Sequence, residues 1–126
     1  MSYGSSITVN QPFAEVVTAV RAALATHGFG VLTEVDVQAT IKAKLGADLE
    51  PYLILGACNP PLAMRALHIE PSLGLLLPCN VVVREETIVD AVDPQTMVNM
   101  AANPALQPVV DEVAGLLKAV LGSLAP

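Results

Sequence analysis

Between Pro51 and Glu86 the chain reads PYLILGACNPPLAMRALHIEPSLGLLLPCNVVVREE, two apolar runs that each carry a Cys-Asn pair beside a proline. Apolar runs of this length, closed by turn formers, are the pattern of buried strands. In the second run, read as a strand over Leu73 to Arg84, Leu75, Leu77, Cys79, Val81 and Val83 share one face. Leu76, Asn80, Val82 and Arg84 share the other. A strand apolar on both faces belongs in the middle of a sheet, with something packed on each side of it. Pro78 cannot donate to a ladder, so a bulge is expected there, re-aiming Cys79 and Asn80.

The rest of the chain fits around that centre. Ser5 to Val9 reads as a first strand, and Asn10 with Pro12 opens an amphipathic helix whose apolar face is Phe13, Val16, Val17, Val20 and Leu24. His27-Gly28 stops it. Phe29 to Val35 reads as a second strand, and Asp36 caps a short helix with Val37, Ile41 and Leu45 at four-residue spacing before Gly46. Tyr52 to Cys58 is a third strand. Asn59 and Pro60 then supply a cap and a first-turn proline for a helix that ends before Glu70-Pro71, with Leu62, Ala66 and Leu67 inward and Arg65 outward. A tight turn at Arg84-Glu85-Glu86-Thr87 leads to a fifth strand, Thr87 to Val92. Asp93-Pro94 opens a helical turn closed by Asn103-Pro104, and a last helix runs from Pro108 to about Ser123 with a broad apolar stripe.

The predicted fold class is α+β: one compact two-layer domain over residues 1–126, a mainly antiparallel sheet of about five strands against two long helices, with short extra helices. With 53% hydrophobic and 14% charged residues, there is too little charge to cover so small a globule, so a second copy of the chain is the expected partner. The net charge of −6, with six scattered basic residues, provides no stripe for phosphates, so neither nucleic acid nor anionic membrane is expected as a partner. The apolar runs are broken by prolines short of a bilayer span, and MSYGSSITVN lacks the features of a signal peptide. The expected location is the cytoplasm, where two cysteines stay free thiols.

The candidate ligand-binding residues are Cys58, Asn59, Cys79, Asn80 and Lys44. Cys58 precedes a helix N-terminus, where the dipole favours an anion. Asn59 is explained by capping alone, whereas Asn80 among valines must find partners for its amide. Lys44 could anchor an anionic group if it folded over the Cys58-Asn59 turn. Around it, Glu34, Asp36, Lys42 and Glu50 read as solvated surface, with Asp36 a cap. His27 and His68 fit helix C-termini, and Met64, Met97 and Met100 are gap fillers. No metal site and no cofactor are expected. No phosphate loop, nucleophile elbow or clustered carboxylate motif is present, so no catalytic residue is assigned and whether the protein is an enzyme stays open.

The phrases TEVDVQATIKAKLG, ILGACNPPLA, LHIEPSLGLLLPCNVVVREE and AVDP resemble a bacterial and archaeal family known as domain of unknown function 302, in register from Val9 to Leu124. The resemblance implies a β-α-β(4)-α domain, similar to folds like the TATA-box-binding protein, and a homodimer; it supplies no activity. The expected function is binding of a small, partly apolar ligand or a protein partner where Cys58-Asn59-Pro60 and Cys79-Asn80 meet. The alternatives are a thiol-dependent sulfur-transfer or redox protein using Cys58 and Cys79, and a purely structural oligomerisation module.

Overall fold

The structure, a computed structural model, describes residues 3–85 and 87–124. Strands β1 (Gly4–Thr8), β2 (Gly30–Asp36), β3 (Tyr52–Cys58), β4 (Cys79–Arg84) and β5 (Ile88–Val92) form one antiparallel sheet in the order β1-β5-β4-β3-β2. Among the described residues the helices are α1 (Phe13–Thr26), α2 (Val37–Leu45), α3 (Pro60–Ile69), α4 (Gln95–Ala101) and α5 (Gln107–Leu124). Setting α2, α3 and α4 aside leaves β-α-β(4)-α, the expected α+β arrangement. The two long helices, α1 and α5, pack against each other and against the sheet, and α3 joins them through α5.

The period of two along each strand divides the sheet. Leu53, Leu55 and Ala57 of β3, Cys79, Val81 and Val83 of β4, and Val89 and Ala91 of β5 are buried beneath the helices. Val16, Val20 and Leu24 of α1 and Val109, Val110, Leu117, Val120 and Leu121 of α5 meet them. Burying one leucine such as Leu24 or Leu55 contributes roughly 2 kcal/mol. Among the described residues no polar or charged residue is buried, so the core is aliphatic throughout.

Local chemistry sets the element ends. Asp36 accepts from the amide of Ala39 at 2.9 Å to start α2, and Gly46 closes it with φ 63°. α1 ends where Gly28 takes φ 83° and Phe29 donates back to the Leu24 carbonyl at 2.9 Å. At its start, however, Pro12 occupies the cap position without a side-chain bond and Asn10 is exposed, so α1 begins without an asparagine cap.

The fourth strand is shorter than the sequence pattern suggests. Pro71–Leu75 is a 3-10 turn with Leu73 buried at 2% exposure, and β4 starts only at Cys79, after a cis Leu77–Pro78 bond. Proline at a first helical position opens that turn, and Pro78, lacking an amide, marks where the ladder can begin. No bulge forms at Pro78: β4 pairs in unbroken register with β3 and β5. The register break falls instead on β2, between Val31 and Thr33. Glu86, in the expected turn between β4 and β5, lies outside the described residues.

Gly56 explains how the 33–56–78 region closes. A Cβ there would overlap the Thr33 hydroxyl and come within 2.7 Å of Pro78 Cγ. Gly56→Ala therefore forces apart the two neighbours of a central strand, and a loss of about 1–3 kcal/mol is expected in urea unfolding. Thr33→Gly in the same chain relieves the worse overlap and is expected to recover part of that loss.

Candidate functional site

At the end of β3, Asn59 sits between two helices. Its Oδ1 accepts from the amide of Leu62 at 3.3 Å, Pro60 fills the first turn of α3, and its Nδ2 lies 3.1 Å from where a Gly28 side chain would begin. Gly28 is thus required twice, by its backbone conformation and by the asparagine amide packed on it. One residue earlier, Cys58 is half-buried at the strand end, opposite Gly30.

Cys79 faces Ala57 across the β3–β4 pair and points into the core. Between these strands, α3 and α5 lies a cavity of about 50 Å³, lined by Phe29, Ala57, Cys58, Asn59, Leu62 and Cys79, and closed by Met97 and Val110. Its wall is almost wholly apolar. Both cysteines are free. Burial pushes the Cys79 thiol from 9.0 to about 11, and the nearby Cys58 adds to that rise. A thiol in this state is protonated near neutral pH and serves as a small apolar wall group.

The structure brings Cys58, Asn59 and Cys79 together and leaves Asn80 and Lys44 out. Because β4 enters without a bulge, alternation sends Asn80 to the opposite face of the sheet, where it is exposed and paired across from Gly56. The two asparagines that the sequence pattern pairs are therefore separated by the sheet itself. Lys44 is exposed in the last turn of α2, which leaves β2 beside Leu53, a strand length of roughly 20 Å from the Asn59 end. It cannot reach over the Cys58-Asn59 turn.

The remaining charged and sulfur candidates have local explanations. Glu34 pairs with Arg21, Lys42 with Asp48 at 3.0 Å, and Asp36 caps α2. His27 Nδ1 lies 2.7 Å from the Ala23 carbonyl, and His68 is exposed in the last turn of α3. Met97 is buried, whereas Met64 and Met100 are exposed at 58% and 71%, so those two fill no gap in this chain. Among the described residues no three His, Cys, Asp or Glu side chains converge as a metal site. No helix among them is long and apolar enough to cross a membrane.

On the bare face of the sheet the structure shows a group that pattern reading missed. Arg84 Nε donates to Asp90 Oδ2 at 2.6 Å, beside Tyr52 and Asn80, along an open groove of about 530 Å³. Burial alone would raise the Asp90 carboxyl, but the hydrogen bond and charge of Arg84, with the Ser6 hydroxyl nearby, outweigh it and hold it below the usual carboxylate value. Ser6 faces Asp90 across the β1–β5 pair, yet Asp90 Oδ1 is buried without a hydrogen-bond partner, so the bond from Arg84 to Oδ2 is the direct one. The signal was present in the turn length: three residues between Arg84 and Ile88 make those two a cross-strand pair and put Asp90 on Arg84's face, one step along.

Three outcomes follow from the thiol and the cap. Ellman's reagent at about pH 8 is expected to label Cys58 readily and Cys79 only on unfolding. The raised Cys79 value favours the fold below the ordinary thiol range, so that part of the stability is lost as pH rises from about 9 toward 11. Asn59→Ala is expected to cost about 1 kcal/mol, read from the urea midpoint.

The comparisons with known proteins agree with this architecture. The profile of the family described as domain of unknown function DUF302 matches residues 5–124. An uncharacterized conserved DUF302 protein from Bacillus stearothermophilus, known from its crystal structure, is 30% identical, with a TM-score of 0.91, over 98% of this chain and 99% of its own. No curated protein matched. A profile match across nearly the whole length, with a neighbour of the same fold, means that the chain belongs to the DUF302 family.

Proposed function

We propose that this protein is a cytoplasmic homodimer that binds a small, partly apolar ligand at the cavity beneath Cys58-Asn59-Pro60, with Cys79 in its wall. The observation that carries the reading is the cavity itself, an apolar space of about 50 Å³ that touches both cysteines and the Asn59 cap. One water needs roughly 10–15 Å³ by this measure, and a site for a whole drug-sized ligand spans roughly 300–1,000 Å³. The space therefore takes the apolar end of a ligand, with the remainder passing out beside half-buried Cys58 and Asn59.

The free thiols suit a reducing compartment. Thiol chemistry as a pair is disfavoured because Cys79 is held protonated, and a sulfur or redox role would fall to Cys58 alone. Asn80 and Lys44 take no part in this site.

Xenon titration followed by amide NMR tests the reading. Shifts are expected to cluster at Ala57, Leu62, Cys79 and Met97, and to be lost in Ala63→Leu, which extends a side chain into the space from α3. Native mass spectrometry of freshly purified protein is expected to show twice the chain mass together with a retained small molecule. Absence of clustered shifts, with only the bare chain mass retained, would contradict the proposal.

A further inference from the structure

The cavity beneath Cys58-Asn59-Pro60 is lined without a single charge. Among the described residues none of its wall groups is Lys, Arg, His, Asp or Glu, so its polar side chains are Asn59 and the two thiols. Arg65 of α3 pairs with Glu112 of α5 and does not line the space. At about 50 Å³, with roughly 10–15 Å³ for each water-sized group, the space takes an alkyl end of roughly three or four carbons.

The start of α3 is the second observation. A helix N-terminus ordinarily attracts anions because its first amides point outward without partners. Here Pro60 and Pro61 have no amide hydrogen, Leu62 donates to Asn59 Oδ1 at 3.3 Å, and Ala63 donates to the Asn59 carbonyl at 2.9 Å. The first turn of α3 therefore has no free N–H with which to hold an anion, and the affinity expected of the turn beside Cys58 is removed by the residues that build it. One side-chain donor is left over. Asn59 Nδ2 makes no hydrogen bond among the described residues, and it stays within reach of solvent, since among them Asp90 Oδ1 is the buried side-chain atom without a partner.

We infer that the ligand of this cavity is a small neutral molecule, a short alkyl group ending in a carbonyl or hydroxyl oxygen, and that carboxylates, phosphates and protonated amines are turned away. The inference rests on the cavity reading proposed above and names its ligand class. The alkyl end fills the space against Ala57, Leu62 and Met97, and the oxygen stands at the mouth, where it accepts from Asn59 Nδ2. A charged end in that place gives up part of its water and meets no ion of opposite sign on the wall, so the gain from burying the alkyl end is offset. The chain's net charge of −6 adds to the bias against anions.

The test is amide NMR titration of the full chain at about pH 7 with three probes of nearly equal size: methyl propyl ketone, butyrate and butylammonium. The ketone is expected to shift Ala57, Leu62 and Met97 and to bind about tenfold or more tightly than either ion. Asn59→Asp keeps an oxygen for the Leu62 amide, because aspartate caps a helix as well as asparagine does, and replaces the donor by a charged acceptor. In that variant ketone affinity is expected to fall by about tenfold while the xenon shifts persist. Circular dichroism reports its folding, and the comparison of the three probes on the parent chain needs no variant. Butyrate bound as tightly as the ketone, or a folded Asn59→Asp chain with full ketone affinity, would overturn this inference and leave the cavity reading standing on the xenon shifts. A parent chain in which neither xenon nor the ketone shifts those residues would overturn both.

Discussion

Alternation of side chains along the β3–β4 pair decides where everything else in this molecule stands. Leu53, Leu55 and Ala57 face Val83, Val81 and Cys79 in unbroken register, and each of these six is buried beneath α1, α3 and α5. Sliding either strand by one residue would present Tyr52, Ile54, Asn80 and Arg84 to the helices, and would bury an amide and a guanidinium without partners. The desolvation cost of that arrangement, several kcal/mol, is what holds the register.

The same rule separates the two chemistries of the chain. On the helix side the polar demand is met at the boundary, by the Asn59 cap on α3 and the turn at Gly28. What remains inside is apolar, including a cysteine whose thiol is pushed away from ionisation. On the other side the polar groups pair with one another, Arg84 with Asp90 and Glu85, beside an aliphatic row of Val35, Ile54 and Val82 that is at most partly buried. One face is thus complete as a core and holds a small void. The other is complete only electrostatically.

Much of this was legible from residue order, and the failures have physical causes. β3 is bounded where the apolar run Tyr52 to Cys58 ends, and Asn59-Pro60, Asp36 and Gly46 punctuate the helices as their side chains and backbone preferences dictate. The stretch Leu73 to Leu77 carries the pattern of a strand because a continuous apolar run does not distinguish an extended segment from a tight turn with one buried anchor, here Leu73. The separation of the two asparagines has a related cause. Cys79 and Asn80 are adjacent in sequence, but adjacency in a strand means opposite faces, and only an irregularity at Pro78 could have brought Asn80 to Asn59. The break lies on β2 instead, at a position where nothing in Val31 to Thr33 announces it. Lys44 is near the Cys58-Asn59 turn only along the chain; the length of β3 keeps it at the far end.

The account stands on the claim that one face of the sheet is a closed aliphatic core and the other is left open in the single chain. Methyl NMR with a soluble paramagnetic agent, run on dilute protein, measures this directly. Val81 and Val83 methyls are predicted to stay shielded, while those of Val35 and Val82 are relaxed by the agent. Val81 and Val83 methyls as accessible as those of Val35 and Val82 would contradict it.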